Sequence, residues 1–247
     1  MLQTIELLGV KVSRINLSLA IKTICQWVKD KQKAYVCIAP VATLVDAKRN
    51  ADYRRVINGA HMVTPDGMPV VWLARIKGCP EVSRTYGPDL MRFLCAQEGI
   101  RHFFYGANEH VLQQLTHRLR IAQPKIQIAG TYAPGYTQDM RPEDPKVIQT
   151  INDSAADILW VALGSPKQDF WMAKHRAGLQ VPVLIGVGAA FDFLAGTKPQ
   201  APRWMQRLGL EWLFRLVCEP KRLWRRYLLG NMLFIGYAIK EIMGKRE

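Results

Sequence analysis

Asp157-Ile-Leu-Trp-Val-Ala-Leu-Gly-Ser-Pro-Lys-Gln-Asp-Phe-Trp171 decides how this chain is read. Residues 158–163 are continuously apolar, the pattern of a strand buried on both faces. Gly164-Ser165 supply a turn. Pro166 suits a helix start, because its fixed φ matches the first helical position and its missing N–H is not needed there. Lys167, Gln168 and Asp169 then fall on the first helical turn. Such a unit puts a helix N-terminus at the carboxyl edge of a sheet, where ligands of open α/β sheets bind. Free N–H groups and the helix dipole there favour an anion such as a phosphate. The same stretch also reads as an ordinary turn with a solvated Lys, and one turn does not separate the two.

The pattern repeats outward from this stretch. Ile5–Val12 reads as a strand or hairpin arm, and Asn16 or Ser18 can cap a helix to about Lys31. Apolar strands are expected at 34–39, 61–64, 101–105, 125–130 and 181–187. Helices are expected after Pro40, then at 52–58, 68–76, 89–97, 109–121 and 143–154. Strands alternating with helices predict an α/β fold: a Rossmann-like, mostly parallel sheet with helices on both faces. Asp66-Gly67, Gly106 and Gly164 end three of these strands, and a fourth runs into Gly186-Val-Gly188. Glycine lets a backbone approach a ligand closely, so this clustering says more than any single turn.

The character changes after Gly196. The expected domains are an α/β core, residues 1–195, and a helical C-terminal appendage, residues 196–247. Residues 198–247 carry 11 Lys/Arg and 4 Glu, half of the chain's net charge of +14. Trp204, Trp212 and Trp224 lie in this tail, and Pro220 divides a helix of about 208–218 from the next. Arg215, Lys221, Arg222, Arg225 and Arg226 surround Trp224 and Tyr227, and the apolar run 228–239 follows. That composition fits an interfacial helix at an anionic membrane. A basic solvated helix and a nucleic-acid contact are the other readings. Interleaved Trp and the apolar run favour the membrane over nucleic acid. The Arg residues can also grip a diphosphate bidentately.

The basic balance points to an anionic partner: nucleic acid, a phosphorylated substrate or a membrane surface. The five cysteines are scattered and lack a C-x-x-C pair, which fits a reducing cytoplasm. Met1-Leu-Gln-Thr-Ile-Glu6 does not read as a signal peptide, and no apolar run has the length of a spanning helix. The chain has no D-x-D, no G-x-S-x-G and no P-loop, and its five His are dispersed. A dedicated metal site is therefore not expected. Gly186-x-Gly188 lacks the third Gly of a dinucleotide fingerprint, which disfavours an oxidoreductase.

Three residues stand out chemically. Asp66, just past a buried strand, is either a general base or an Asp-Gly turn residue. Arg84 in Arg84-Thr-Tyr-Gly-Pro-Asp-Leu90 is either a phosphate clamp or solvated. Asp192 in Gly188-Ala-Ala-Phe-Asp-Phe193 sits in an apolar setting, where a carboxylate needs a partner. That partner is either a sugar or base, or a buried structural group.

Five stretches together resemble the WecG/TagA/CpsF glycosyltransferases, also called glycosyltransferase family 26. They are Thr64-Pro-Asp-Gly-Met-Pro-Val-Val-Trp72, Arg84-x-x-Gly-Pro-Asp-Leu90, Ala162-Leu-Gly-Ser-Pro-Lys-Gln-Asp169, Gly186-Val-Gly-Ala-Ala-Phe-Asp192 and Arg203-Trp…Leu208-Gly-Leu-Glu-Trp-Leu213. They follow one order and span nearly the whole chain. The resemblance implies a metal-independent, inverting glycosyltransferase without a cofactor. Its donor would be a UDP-sugar and its acceptor a polyprenyl-diphosphate-linked saccharide. It would act peripherally at the inner face of the cytoplasmic membrane, in surface polysaccharide or exopolysaccharide synthesis.

The resemblance makes Asp66 the candidate base, with Arg84 as its catalytic companion. Gly67, Gly106, Tyr136, Gly164, Ser165, Lys167, Gln168 and Asp192 are the expected donor-binding residues. Arg215, Arg222, Arg225, Arg226 and Trp224 are expected at the lipid diphosphate or membrane. The family often carries Thr-x-Asn after its second strand, where this chain has Cys37 and Ala39. That departure weakens any claim for a catalytic hydroxyl there and points to a different sugar or acceptor. Trp72 and Tyr86 are further candidate specificity features.

The competing class is a non-enzymatic nucleotide or nucleic-acid binding protein with a basic tail, which would show salt-sensitive binding. It gives no reason for the Asp66 motif, and no nucleic-acid partner is expected. The exposed Trp-rich tail can also pack on a second subunit, so a homo-oligomer stays open.

Overall fold

The computed structural model describes residues 2–135 and 145–244. The chain opens with β1 (Thr4–Leu7), β2 (Val10–Ser13), α1 (Leu17–Lys29), β3 (Ala34–Ala39), α2 (Val41–Arg49), α3 (Ala51–Asn58) and β4 (Met62–Pro65). Next come α4 (Met68–Ile76), α5 (Gly87–Cys95), β5 (Arg101–Gly106), α6 (Glu109–Ala122), β6 (Gln127–Tyr132) and α7 (Pro145–Asp153). Then follow β7 (Ile158–Ala162), α8 (Lys167–His175), β8 (Val183–Gly186) and α9 (Ala190–Ala195). The tail holds α10 (Arg203–Arg207), α11 (Glu211–Cys218), α12 (Pro220–Trp224), a π turn (Arg225–Leu229) and α13 (Gly230–Met243).

The expected α/β fold is observed. Six strands form one sheet in the order β4-β3-β8-β7-β5-β6, and the pairs β3/β8, β8/β7, β7/β5 and β5/β6 are parallel. Strands β3, β4 and β8 are buried along their whole length, as strands covered on both faces should be. Strand β6 closes one edge and is only half-buried.

Several element boundaries differ from the sequence expectation, and three of them have a visible reason. Strand β6 starts at Gln127 rather than 125, because a turn persists through Ile126, whose N–H bonds the Gln123 carbonyl. Helix α11 starts at Glu211 rather than near 208, because Gly209 adopts a left-handed φ of 72° after α10. Pro166 stands one residue before α8, and its carbonyl accepts the Asp169 and Phe170 N–H groups.

The chain forms two compact units. The first comprises residues 1–17, 38–86 and 200–247; the second comprises 18–37 and 87–199. Residues 200–247, most of the expected appendage, therefore share a unit with the Asp66 and Arg84 segments. Within the first unit, β1 and β2 make an antiparallel hairpin turning at Leu8 and Gly9. Both turn residues have positive φ, 55° and 85°, which suits the twist of a two-residue hairpin. Helix α13 packs on α2, and its Phe234 is buried. Glu241 of α13 pairs with Lys77 and accepts the Leu8 N–H at 2.7 Å, pinning the tail's end to the hairpin and to α4's C-terminus.

The second unit buries Trp160, Phe103, Phe104, Tyr105 and Phe191 in its core. Phe104 meets Phe191 edge-on at 5.8 Å. His102 is fully buried, and its Nδ1 accepts the Trp160 indole N–H at 3.2 Å. Its Nε2 has no hydrogen-bond partner among the described residues. Burial pushes the imidazole down from 6.5 to about 4. A lowered histidine pKa stabilises the fold above the unfolded value and loses that contribution as pH falls toward the folded one. Between about pH 6.5 and 4 the unit should lose on the order of 3 kcal/mol from this residue alone. Urea unfolding at both pH values measures it, and the drop should be smaller by that amount in His102→Gln.

Candidate functional site

The first unit gathers charged groups around Asp66. Strand β4 delivers the residue, and the Asp66 N–H bonds the Ala39 carbonyl at 3.2 Å. Gly67, at a φ of 92°, then turns the chain into α4 with Pro69 in its first turn. The Thr85 N–H bonds the Pro65 carbonyl at 2.8 Å, laying the 84–86 segment beside the end of β4. Arg84 thereby reaches Asp66, with Nε 3.1 Å from Oδ1.

Arg84 is held from other sides as well. Its Nη2 pairs with Glu211 Oε2, and its Nη1 reaches Gln206 Oε1 at 3.4 Å. Its guanidinium carbon lies 3.9 Å from the centroid of the Tyr86 ring. The Tyr86 hydroxyl donates to Glu211 Oε1 at 3.0 Å and accepts from Gln200 Nε2 at 3.0 Å. Gln206 Nε2 is fixed on the Ala201 carbonyl at 2.7 Å. Arg84, Asp66 and Glu211 keep only 14–16% of their side-chain surface exposed.

This enclosure sets the proton affinities. Asp66 is pushed up to about 6, chiefly by burial. The Arg84 charge pulls it down, Glu211 pushes it up, and Arg215 pulls it down again. Burial works against the Arg84 charge, but Asp66 and Glu211 outweigh it and hold the guanidinium firmly ionised. Burial and the neighbouring Glu211 raise the Tyr86 hydroxyl, which stays protonated. Arg84 engages Asp66 Oδ1, so among the described residues Oδ2 is the oxygen left for a substrate proton.

The second unit places the glycine turns. Gly164 sits at a φ of 78° between β7 and α8. Gln168 is buried and donates from Nε2 to Ser165 Oγ at 3.3 Å, while its Oε1 has no hydrogen-bond partner among the described residues. A side chain at Gly188 would meet that Oε1 at 3.5 Å and the Gly164 Cα at 3.9 Å. The turns after β7 and β8 therefore converge on the Gln168 amide. Not all the turn's amides face outward, because the Gln168 N–H bonds the Gly164 carbonyl at 3.0 Å. Lys167 is half-buried. Asp192 is half-exposed on the first turn of α9, with Thr197 Oγ1 3.4 Å from its carboxylate.

Gly106 has a packing reason of its own. A Cβ there would stand 2.7 Å from the Ala162 backbone, so β5 and β7 can close at their carboxyl ends only over glycine. Cys37 and Ala39 are both fully buried. Burial and the Asp169 carboxylate hold the Cys37 thiol well above its usual range, which keeps it un-ionised. Tyr136 lies outside the described residues. Among the described residues, no group of three or more His, Cys, Asp or Glu is placed to hold a metal ion.

In the tail, Arg215 lies on α11 with its guanidinium 5.9 Å from the Tyr227 ring. Arg222, Arg225, Arg226 and Trp224 are exposed. Arg222 pairs with Glu219 at 2.5 Å, and Arg225 lies 5.1 Å from the Trp224 ring. Leu228, Leu229, Met232, Ile235, Ile239 and Met243 are exposed on the segment that follows. Among the described residues, no helix is long and apolar enough to cross a membrane.

The sequence reading singled out Asp66 and Arg84, which the structure brings together. It gave no chemistry to Glu211, Gln206 or Gln200. Glu211 stood in the quoted Leu208–Leu213 stretch, but a lone Glu in a basic helical tail carries no signal of its partner.

Comparisons with known proteins agree with one another. A family model described as the glycosyl transferase WecG/TagA/CpsF family matches residues 5–247. An N-acetylglucosaminyldiphosphoundecaprenol N-acetyl-beta-D-mannosaminyltransferase of Bacillus spizizenii (strain ATCC 23059 / NRRL B-14472 / W23) is 37% identical over 198 residues. The match covers 79% of this chain and 75% of that relative. A protein of the same name from Bacillus subtilis (strain 168) is 35% identical over 185 residues, covering 74% and 70%.

Proposed function

Because the chain belongs to the WecG/TagA/CpsF glycosyltransferase family, we propose that it moves a sugar from a UDP-linked donor onto N-acetylglucosamine carried by a polyprenyl diphosphate. The acceptor follows the names of the two Bacillus relatives. The product would serve a bacterial surface polysaccharide or exopolysaccharide. The observation that carries the chemistry is the enclosed Asp66–Arg84–Glu211 array at the end of β4.

Asp66 Oδ2 takes the proton of the acceptor hydroxyl as that oxygen attacks the anomeric carbon. The C1–O bond to the diphosphate breaks, and UDP leaves with the electron pair. A single displacement of this kind inverts the anomeric centre. A carboxyl pushed up to about 6 is a stronger base than an ordinary Asp and is still mostly ionised at neutral pH. Arg84 orients Asp66 and is itself occupied by two carboxylates. The charge growing on the departing diphosphate then falls to other donors, such as the Gly164–Lys167 turn. No step needs a metal ion.

The second unit would bind the donor at its glycine turns. The unpartnered Gln168 Oε1 is the acceptor that a uracil N–H or a sugar hydroxyl would satisfy. Gln168→Leu keeps the volume and removes that acceptor. UDP binding by calorimetry is expected to weaken about tenfold. Unchanged affinity in a folded variant would remove Gln168 from the donor site.

The exposed apolar and basic tail would seat the enzyme on the inner face of the cytoplasmic membrane, beside its lipid-linked acceptor. The whole reading is tested by UDP release. Purified protein is offered UDP-glucose, UDP-galactose, UDP-glucuronic acid, UDP-N-acetylmannosamine and its uronic acid, with EDTA present. Each is tried with and without undecaprenyl-diphosphate N-acetylglucosamine. Release from one donor that depends on the acceptor is expected. Absence of both release and UDP binding would contradict the reading.

A further inference from the structure

Arg84 alone beside Asp66 would make a poor base, since a neighbouring guanidinium typically lowers a carboxylate by one to three pH units. The structure supplies a second anion. We propose that Glu211 is a positioning residue: anchored by Tyr86, it draws Arg84 from the far side and prevents it from neutralising Asp66. This inference rests on Asp66 being the base.

The geometry is that of a cation shared between two carboxylates. The Nε edge of Arg84 faces Asp66, and Nη2 faces Glu211. Glu211 does not depend on Arg84 for its own position. Its other oxygen accepts the Tyr86 hydroxyl at 3.0 Å, and Gln200 orders that hydroxyl in turn. The Tyr86 ring also supports the guanidinium face at 3.9 Å. Gln206 gives Arg84 a further acceptor. Asp66 is thus one of several groups that fix Arg84.

Among the described residues, the charged and titratable groups facing Asp66 come from two segments. Residues 84–86 bring Arg84 and Tyr86; α11 brings Glu211 and Arg215. Both cations favour the ionised, less basic carboxylate, and Glu211 is the anion set against them. Glu211 opens α11 in the tail, so the strength of the base depends on the seating of that helix.

The test is the pH dependence of kcat for Glu211→Gln and Tyr86→Phe, using the donor found active in the UDP-release screen. Circular dichroism checks folding. In Glu211→Gln the acid limb is expected to move down by about one pH unit. Turnover at about pH 8 should fall roughly threefold, because the base is weaker. KM for both substrates should stay within about threefold, since neither binds through Glu211. Tyr86→Phe leaves Glu211 in place but looser, so its limb should move the same way by less.

An acid limb that stays in place in both variants overturns the proposal, even if KM rises. If Glu211→Gln fails to fold, a fixed limb in Tyr86→Phe alone overturns it. Asp66→Asn, assayed alongside, separates the two claims. Full turnover in that variant sinks the base assignment itself. Lost turnover there with fixed limbs elsewhere sinks only the role of Glu211.

Discussion

Asp66→Asn is expected to lower kcat by about a thousandfold while both substrates still bind within a few-fold of the parent protein. Asn keeps the shape of Asp and leaves an oxygen for the Arg84 Nε, so the array around it should hold. What is lost is the group that accepts the acceptor's proton. The parent enzyme should also show an acid limb near pH 6. Below that value Asp66 holds a proton, because burial has raised it from its ordinary position. As pH climbs through about 6, the carboxylate forms and kcat rises. The Asn variant should keep a small turnover without that limb. Near-normal kcat with unchanged binding would remove Asp66 from the proton transfer.

The second large effect concerns the tail. Lys221→Ala, Arg222→Ala and Arg225→Ala together should weaken binding to vesicles containing anionic lipid by roughly a hundredfold. Each basic group near such a surface contributes about 1 kcal/mol, so three removed give about 3 kcal/mol. All three side chains are exposed. Arg226 is best left alone, because its charge bears on the Asp46 carboxylate of α2. Co-sedimentation at fixed salt measures the change. Vesicles without anionic lipid should show little difference, since the apolar residues Leu229, Met232 and Ile235 are untouched. Equal binding of parent and variant to anionic vesicles would contradict a charge-seated tail.

The α/β architecture was legible because its strands are written as short, continuous apolar runs. The 158–163 run became β7, and Gly164 turned it into α8 at the expected place. The edge strand β6 was harder to place. Its residues, Gln127–Tyr132, show no clear apolar alternation and are only half-buried, and the preceding turn carried two residues further. Asp66 and Arg84 were each singled out by their own motif, but that they pair, 18 residues apart, is seen only in the structure.

Glu211 could not be found that way. It lies 127 residues from Arg84, and no local spacing links a tail glutamate to an arginine in the segment before α5. The interleaving of the first unit was hidden for the same reason. Residues 1–17, 38–86 and 200–247 come together only through tertiary packing, such as that of Glu241 on Lys77 and Leu8. Gly106 was read as a strand-end glycine near a ligand, and the structure adds a packing reason that the sequence did not show, the closeness of the Ala162 backbone.

The central claim is a single displacement by a base-activated acceptor, and the anomeric configuration of the product tests it most directly. The disaccharide made on undecaprenyl-diphosphate N-acetylglucosamine would be released and its new linkage read from the one-bond C1–H1 coupling. A linkage inverted relative to the donor is the expected result. A retained linkage would rule out a single back-side displacement and would contradict the role given to Asp66.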